Sequence, residues 1–436
     1  MKKIIVTLGA LVSFTAAVFA QDDVYPAAKQ SKKTAIVGAT VHLGNGQVIE
    51  NGTVVFDNGK IVYAGDAAAA PKAENTIDAK GKQVYPGLIL PSSNLGLQEI
   101  TGVRGSTDIN EIGEFNPSVR SIAAYKAESI VVNTLRLNGI LLAHTVPGGQ
   151  LIAGQSSVVQ LDAWNYEDAA YKTDMGMHFY MPSLLSRGGG RGFGRGFGGA
   201  PAGDPIKEAL DKIESVKAIF REAKAYHQKG ADKQINLKLE ATKGLFNRTQ
   251  KLFVHCDQIK QMIVAIDFVK EFGFDVVLVG ASESWQIADL LKANNIAVIL
   301  TQEHSLPTTD DDDVDQPYKA ASVLQKAGVL FCLNDDDPQN RGRNLMFNAG
   351  TAAAYGLGKE GALQAITLNA AKILGVADKT GTLEVGKDAN IVISEGDILD
   401  MKSSIVTDAF IQGRAVAITS KHKQLYERYK HKYEIK

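Results

Sequence analysis

The chain has 436 residues, of which 45% are hydrophobic and 22% are charged, a composition typical of a globular protein. Its length is sufficient for one large and one smaller domain. Its formal net charge of -1 excludes a global electrostatic attraction to nucleic acid or to anionic lipid. Any binding of a charged partner must therefore come from a local feature.

Residues 1–20 have the pattern of a secretory signal peptide. A basic start, MKK, precedes the apolar run IIVTLGALVSFTAAVFA, and Ala20 ends a small-x-small cleavage site. An anchoring helix is the alternative, but the apolar run is short and the polar segment QDD follows at once. We expect an exported protein, periplasmic or secreted, that is cleaved near Ala20 and has no stable membrane insertion.

Both ends of the mature chain carry the pattern of short antiparallel strands. The segment AIVGATVHLGNGQVIENGTVVFDNGKIVYAG alternates apolar and polar residues around Gly-Asn-Gly and Asp-Asn-Gly turns. The same alternation of apolar and polar residues recurs in GTLEVGKDANIVISEGD and IVTDAFIQGRAVAI. We predict a small β-sandwich domain formed by residues 21–85 and 376–436, the latter with a helical tail.

The middle of the chain, residues 86–375, alternates β-rich apolar runs with amphipathic helical segments. The runs are GILLAHTV, SSVVQL, KLFVHC, DVVLVG, IAVILT and VLFCLN. This spacing predicts βα units around a parallel sheet, hence an α/β fold with a (β/α)8 TIM-type barrel. Cys256 and Cys332 lie inside two of these runs, so we expect two buried free thiols.

A Gly/Arg-rich stretch, RGGGRGFGRGFGGAPAG at residues 187–203, interrupts the pattern. Such a composition can bind single-stranded RNA through stacking and charge. In an exported barrel protein a surface loop is the favoured interpretation. We therefore expect no nucleic-acid partner.

The sequence contains VYPGLIL and AAAYGLGKEGALQAITLNAAKILGVADKTGTLEVGKDANIVISEGD, together with NPSVRSI, VPGGQLIAGQSSVVQL and GRNLMFNAG. The first two stretches resemble the amidohydrolase superfamily, in its imidazolonepropionase-like and dihydroorotase-like branches, and the other three resemble a subgroup within it. The resemblance covers nearly the whole mature chain and implies a distorted barrel. It also implies hydrolysis of C–N, non-peptide bonds in small cyclic amide or amide-like substrates by water that a divalent metal, often zinc, activates.

The residues at the implied metal-ligand positions are mostly substituted. The family's strand-one pattern Pro-Gly-Leu-Ile-Asp-x-His-x-His places Leu90 at its Asp and Ser92 and Asn94 at its two His. The strand-six His corresponds to Val279. None of these side chains replaces imidazole as a ligand for a transition metal.

The resemblance retains two positions and leaves one open. His255 matches the strand-five His, and Asp336, with Asp335 as the alternative register, matches the strand-eight Asp that both binds metal and transfers the proton. The strand-four Lys has two candidates, Lys238 and Lys243. For His255 the alternative is an imidazole satisfied by a neighbouring polar group, and for Asp336 it is capping of the next loop.

Three interpretations of the site follow. The first is a mononuclear zinc site rebuilt from His144, His255, His304 and Asp336, which lie at or just after the ends of predicted barrel strands. A metal-free hydrolase would use Ser92 or Ser93 as nucleophile, which we rank lower because no nucleophile-elbow pattern is present. The third is a degenerate family member that binds a ligand without turnover.

We expect a mouth pocket lined by Ser92, Asn94, His144, His255, His304 and Asp336, with weak or absent metal-dependent activity. Zinc, another divalent metal or no metal is compatible with the sequence, and the expected partner is a small-molecule substrate or ligand. The alternative function is a non-catalytic ligand-binding or partner subunit of an intact amidohydrolase. Homo-oligomers and pairing with an intact paralogue both stay open.

Overall fold

The computed structural model describes residues 25–185, 204–229, 234–301, 303–336 and 341–435. The predicted signal peptide at residues 1–20 and the Gly/Arg-rich stretch at 187–203 lie outside these ranges. Within the described ranges, no helix combines the length and the apolar character that a membrane crossing requires.

Two sheets contain the strands. The strands are β1 Thr34–His42, β2 Val48–Asp57, β3 Lys60–Asp66, β4 Asn75–Asp78, β5 Gln83–Pro86, β6 Leu88–Ser93, β7 Ile140–Thr145, β8 Ile152–Gln160, β9 Ala170–Tyr180, β10 Lys251–Cys256, β11 Val276–Gly280, β12 Ala297–Leu300, β13 Phe331–Leu333, β14 Ile391–Ser394, β15 Val406–Ile411 and β16 Arg414–Val416.

Helices connect and cover these strands. The α-helices are α1 Ser121–Ala124, α2 Ile130–Leu137, α3 Tyr166–Ala169, α4 Pro205–Gln228, α5 Leu237–Glu240, α6 Lys243–Phe246, α7 Ile259–Phe272, α8 Ala288–Ala293, α9 Gln316–Ala327, α10 Leu345–Ala352, α11 Lys359–Ala365, α12 Leu368–Ile373 and α13 Lys421–Lys432.

The first sheet joins the two ends of the chain. Its order is β16-β15-β14-β5-β1-β2-β3, and β4 also pairs with β1. The β2–β3 turn has positive φ at Asn58 (48°) and Gly59 (77°), as a type I′ hairpin requires. This sheet has a core of its own, with Ile36, Phe56, Val84 and Ile391 fully or almost fully buried. The arrangement is compatible with the predicted small β-sandwich formed by both chain ends.

The second sheet is a nearly closed barrel of eight strands in the order β13-β12-β11-β10-β9-β8-β7-β6. Its edges β6 and β13 meet where the Ser92 backbone N–H donates to Asn334 Oδ1 at 3.1 Å. The expected distorted (β/α)8 barrel is therefore observed, with its cysteines Cys256 and Cys332 buried and unbridged as predicted.

One strand departs from the expected parallel order. The run SSVVQL lies in β8, which pairs antiparallel with both β7 and β9. Only residues 146–151 connect β7 to β8, and a parallel connection needs a crossover of a dozen or more residues. The expectation of a wholly parallel sheet was wrong for this reason.

The later strands follow the βα pattern, since α4, α7, α8 and α9 separate β9 through β13. The longest of these helices, α4, begins at a capped N-terminus. Asp204 caps it by accepting the Ile206 backbone N–H, and Pro205 occupies the first turn, where its missing N–H has no cost.

A buried charge cluster joins the barrel to the strands of the C-terminal end. Asp162, just after β8, accepts Arg136 Nη1 from α2 at 2.5 Å and Arg414 Nη1 from β16 at 3.0 Å. It also accepts the backbone N–H of Ala27 at 2.9 Å. One carboxylate therefore links the N-terminal segment, the barrel and the C-terminal strands.

Candidate functional site

A cavity of about 650 Å³ lies at the carboxyl ends of the barrel strands. This is where βα barrels place their chemistry, because the loops that follow the strands converge there. Its walls include Ser92, Asn94, Tyr180, His255, Asp257, Val279, Asp335, Asp336 and Arg341.

The substituted strand-one and strand-six positions do face this cavity. Ser92, Asn94 and Val279 line it and supply a hydroxyl, an amide and an apolar group. The neighbouring Ser93 hydroxyl accepts the Leu95 backbone N–H at 3.0 Å. Among the described residues, no hydrogen bond joins Ser92 or Ser93 to a histidine, so the structure contains no assembled serine–histidine pair.

His255 ends β10 and points into the cavity, as the matched register predicts. Its Nε2 lies 2.9 Å from Nδ1 of His178, and the Tyr180 ring stacks on it at a centroid distance of 3.9 Å. In either tautomer this Nε2 is engaged, because it either donates to His178 or accepts from it. Burial, with a smaller contribution from His144, lowers the pKa of His255 to about 3, so the ring is neutral near pH 7.

His144 and His178 lie behind His255 in the barrel interior. Both are fully buried and pack around the Phe253 ring at centroid distances of 5.1 and 5.0 Å. His144 Nδ1 donates to the Pro91 carbonyl at 2.7 Å, and its Nε2 accepts the Ser156 hydroxyl at 2.6 Å. Burial lowers the pKa of His144 to about 4 and that of His178 well below its ordinary value.

The expected placement of His144 and His304 at the mouth was therefore wrong. His144 is not among the residues that line the cavity, and both of its ring nitrogens are already bonded. His304 lies beyond the end of β12, where its Nε2 contacts the Thr351 hydroxyl at 2.7 Å and its ring packs against Tyr318. Both imidazoles are therefore hydrogen-bonded to residues that do not line the cavity.

Both candidate acids of the last barrel strand face the cavity. Asp335 is 2% exposed and accepts the Asn344 backbone N–H at 2.8 Å, which is the capping interaction expected for the neighbouring acid. Asp336 is exposed at the cavity wall. Asp336 is therefore the carboxylate that solvent and a ligand can reach, whereas Asp335 is buried and holds the loop before α10 through its hydrogen bond to Asn344.

Neither strand-four lysine candidate reaches the cavity. Lys238 lies in α5, where its Nζ donates to the Phe115 carbonyl at 2.7 Å, and Lys243 begins α6. Both helices lie outside the barrel sheet. The expectation that one of them supplies an inward ligand was wrong.

The donor set does not fit a divalent metal. No group of three or more His, Cys, Asp and Glu side chains in the described ranges is arranged to hold an ion. The expected His144, His255, His304 and Asp336 set is not assembled. Cys256 borders the cavity, but burial raises the pKa of its thiol, so it does not provide a thiolate.

Several residues of the site were absent from the sequence prediction. His178 and Tyr180 end β9, in the run DMGMHFYM, whose aromatic and apolar residues were the available signal. Asp257 follows His255 by two positions on the same strand end. Arg341 adds a cation to the cavity wall while donating to the Glu99 carbonyl at 2.9 Å, and no sequence motif marks it.

Comparison with known proteins gives one consistent result. The amidohydrolase family model matches residues 212–416. An imidazolonepropionase from Thermoplasma volcanium is 25% identical over 382 residues, 83% of this chain and 89% of its own. One from Staphylococcus saprophyticus is 26% identical over 373 residues, 80% of this chain and 85% of its own.

The structure of an amidohydrolase from Thermotoga maritima shares the fold, with a TM-score of 0.75 and 24% identity over 88% of this chain and 100% of its own. The motifs, the barrel with its terminal β domain and the matched relatives agree with one another. The family model, the relatives and the shared fold all support the amidohydrolase superfamily, and within it the imidazolonepropionase-like branch.

Proposed function

We propose that this protein is a hydrolase for C–N, non-peptide bonds of small cyclic amide or amide-like molecules, with metal-dependent activity that is weakened or lost. The hydrolase role is supported by the family and by the imidazolonepropionase relatives. Weakened chemistry is supported by one observation above all. The retained His255 has its Nε2 engaged by His178, while Ser92, Asn94 and Val279 occupy the other ligand positions.

The cavity residues suit the binding and orientation of a small polar molecule. Asn94 offers both a donor and an acceptor to an amide, and Arg341 supplies positive charge. The lowered pKa of His255 makes it a neutral hydrogen-bonding group rather than a cation near pH 7. Asp336 is the exposed carboxylate that we propose as proton acceptor, within reach of solvent.

Superfamily members generally use a divalent metal, and here the donor set does not fit one. We therefore propose that purified protein holds much less than one metal ion per chain. Elemental analysis of protein purified without added metal, before and after loading with zinc, tests this directly. One tightly held ion per chain would contradict the proposal of a weakened site.

Activity is tested with a panel of cyclic amides and dipeptides. We expect slow turnover that Asp336→Asn reduces by about 10²-fold or more, as loss of a general acid–base group does. Asp311→Asn, in an exposed acidic stretch and not among the residues that line the cavity, is the matched control. Fast, metal-dependent turnover would show that the site is intact in solution, and activity unaffected by Asp336→Asn would remove this residue from the chemistry.

The second candidate is a non-catalytic ligand-binding or partner subunit of an intact amidohydrolase. It is favoured by the contrast between an intact barrel and substituted ligand positions. Under this proposal, purified protein turns over no substrate in the panel and co-purifies with an intact paralogue. A homo-oligomer without such a partner would argue against it.

Export is also a proposal, supported by the sequence of residues 1–20. Fractionation of cells together with N-terminal sequencing tests it. Recovery outside the cytoplasm with Gln21 as the first residue is the expected result. An uncleaved cytoplasmic chain would contradict it.

A further inference from the structure

A second, smaller pocket lies beside the main cavity. It has a volume of about 230 Å³, a little below the roughly 300–1,000 Å³ of typical small-molecule sites. Gly280 and Thr301 line both spaces, so the two are neighbours at the barrel mouth. Half of the residues that line this side pocket are polar, and Ser282, Ser305, Thr308 and Asp312 are among them. The apolar part of its wall includes Trp285, Leu300, Leu306, Pro307 and Pro317.

An acidic side chain is buried in the wall of this pocket. Glu303 lines the side pocket and is only 2% exposed. Its Oε2 has no hydrogen-bond partner among the residues that the structure describes. Desolvation raises the pKa of Glu303 well above its ordinary value, which favours the neutral carboxyl group.

A second polar group in the same pocket is also unpaired. Gln316, the first residue of α9, lines the pocket, and its buried Nε2 has no hydrogen-bond partner within the described ranges. A buried polar group without a partner costs about 1–3 kcal/mol, so two in one small pocket are unusual unless something fills it. The pocket thus presents an amide donor and a carboxyl group against an apolar wall.

We propose that the side pocket binds a small amide with an apolar body, whose N–H donates to the Glu303 carboxyl and whose carbonyl accepts from Gln316 Nε2. An amide carries the required donor and acceptor on neighbouring groups and brings no charge into a pocket whose wall is half apolar. A carboxylate or an ammonium ion would bring a charge there. This site goes beyond the proposed hydrolysis, because binding in it requires no turnover.

Three molecules of matched shape test the proposal: isobutyramide, isobutyrate and isobutylammonium. Binding to the full mature chain is measured by isothermal titration calorimetry and by ligand-observed NMR. We expect saturable binding of isobutyramide and none of the two ions. Glu303→Leu and Gln316→Met should each weaken isobutyramide binding at least about tenfold, which is the expected effect of one lost hydrogen bond together with its unpaired partner.

Gln325→Met is the matched control, because Gln325 lies on the same helix, is exposed and does not line the pocket. Thermal unfolding of each variant separates loss of binding from loss of folding. Glu303→Leu should keep or raise the melting temperature, since it removes a buried unpaired acid. Equal isobutyramide binding in all variants would place the ligand elsewhere and overturn the proposal.

Two other results would also overturn it. Binding of isobutylammonium alone would show that the pocket prefers a cation to an amide. Absence of saturable isobutyramide binding would show that the pocket is not an amide site. Because the readout is binding, none of these results changes the expected hydrolysis in the main cavity, which the Asp336→Asn comparison tests separately.

Discussion

Replacing His144 with glutamine is expected to make the protein less sensitive to acid. His144 is fully buried, and its pKa is lowered to about 4 by desolvation. In the unfolded chain a histidine has a pKa of about 6.5. Below that value the unfolded state takes up a proton that the folded state does not, so the free energy of unfolding decreases as the pH falls.

The size of the effect follows from these two values. Between about pH 7.5 and about pH 5.0, one histidine that stays neutral only in the folded state lowers the free energy of unfolding by ~2 kcal/mol. The pKa values of His178 and His255 are lowered in the same sense. The loss of stability of the wild type over this range should therefore exceed the contribution of His144 alone.

Urea unfolding at several pH values, followed by circular dichroism, measures this change. His144→Gln should lose ~2 kcal/mol less than the wild type over this range, whatever its stability at the higher pH. His422→Gln is the control, because His422 is exposed on α13, and it should behave like the wild type. If His144→Gln shows the same pH slope as the wild type, the lowered pKa of His144 is refuted.

Two further predictions concern packing and charge. Asp162→Asn should lower the free energy of unfolding by about 3–5 kcal/mol, because the buried guanidinium of Arg136 and the largely buried one of Arg414 lose their counter-charge. The same change at Asp174, in a partly exposed ion pair, should cost less than about 1 kcal/mol, and similar urea midpoints for the two would contradict this. Gly350→Ala would push a methyl group into the Leu399 carbonyl oxygen and should cost about 1–3 kcal/mol. Gly105→Ala points into open space, so an equal loss there would refute the steric argument.

Most of the fold could be predicted because local signals determine it. The turn at Asn58 and Gly59 is a short-range feature, and it is formed as the sequence indicates. The direction of β8 was missed because an apolar run looks the same in a parallel and in an antiparallel strand. The six-residue connection at 146–151 was the signal for an antiparallel strand, because it is too short for a parallel crossover.

The site was harder to predict than the fold. His255 could be placed because a matched strand register fixes which way its side chain points. His144 lies on β7, whose residues are all buried, so alternation of polar and apolar residues could not reveal its direction. His304 follows the end of β12 by four residues, where strand periodicity no longer applies. The bond between His178 and His255 joins residues 77 positions apart and has no local signature.

The barrel mouth offers a direct test of why the metal ligands matter. Ser92 and Asn94 are alternate residues at one strand end and both line the cavity, so two imidazoles placed there would face Asp336 across the same space. The double variant Ser92→His, Asn94→His should therefore retain zinc after loading and dialysis, where the wild type does not. Gln98→His adds an imidazole to the same cavity wall and serves as the control. If the double variant holds no more zinc than this control by elemental analysis, the substitutions at 92 and 94 do not explain the weakened site. The engagement of His255 by His178 would then be the stronger explanation.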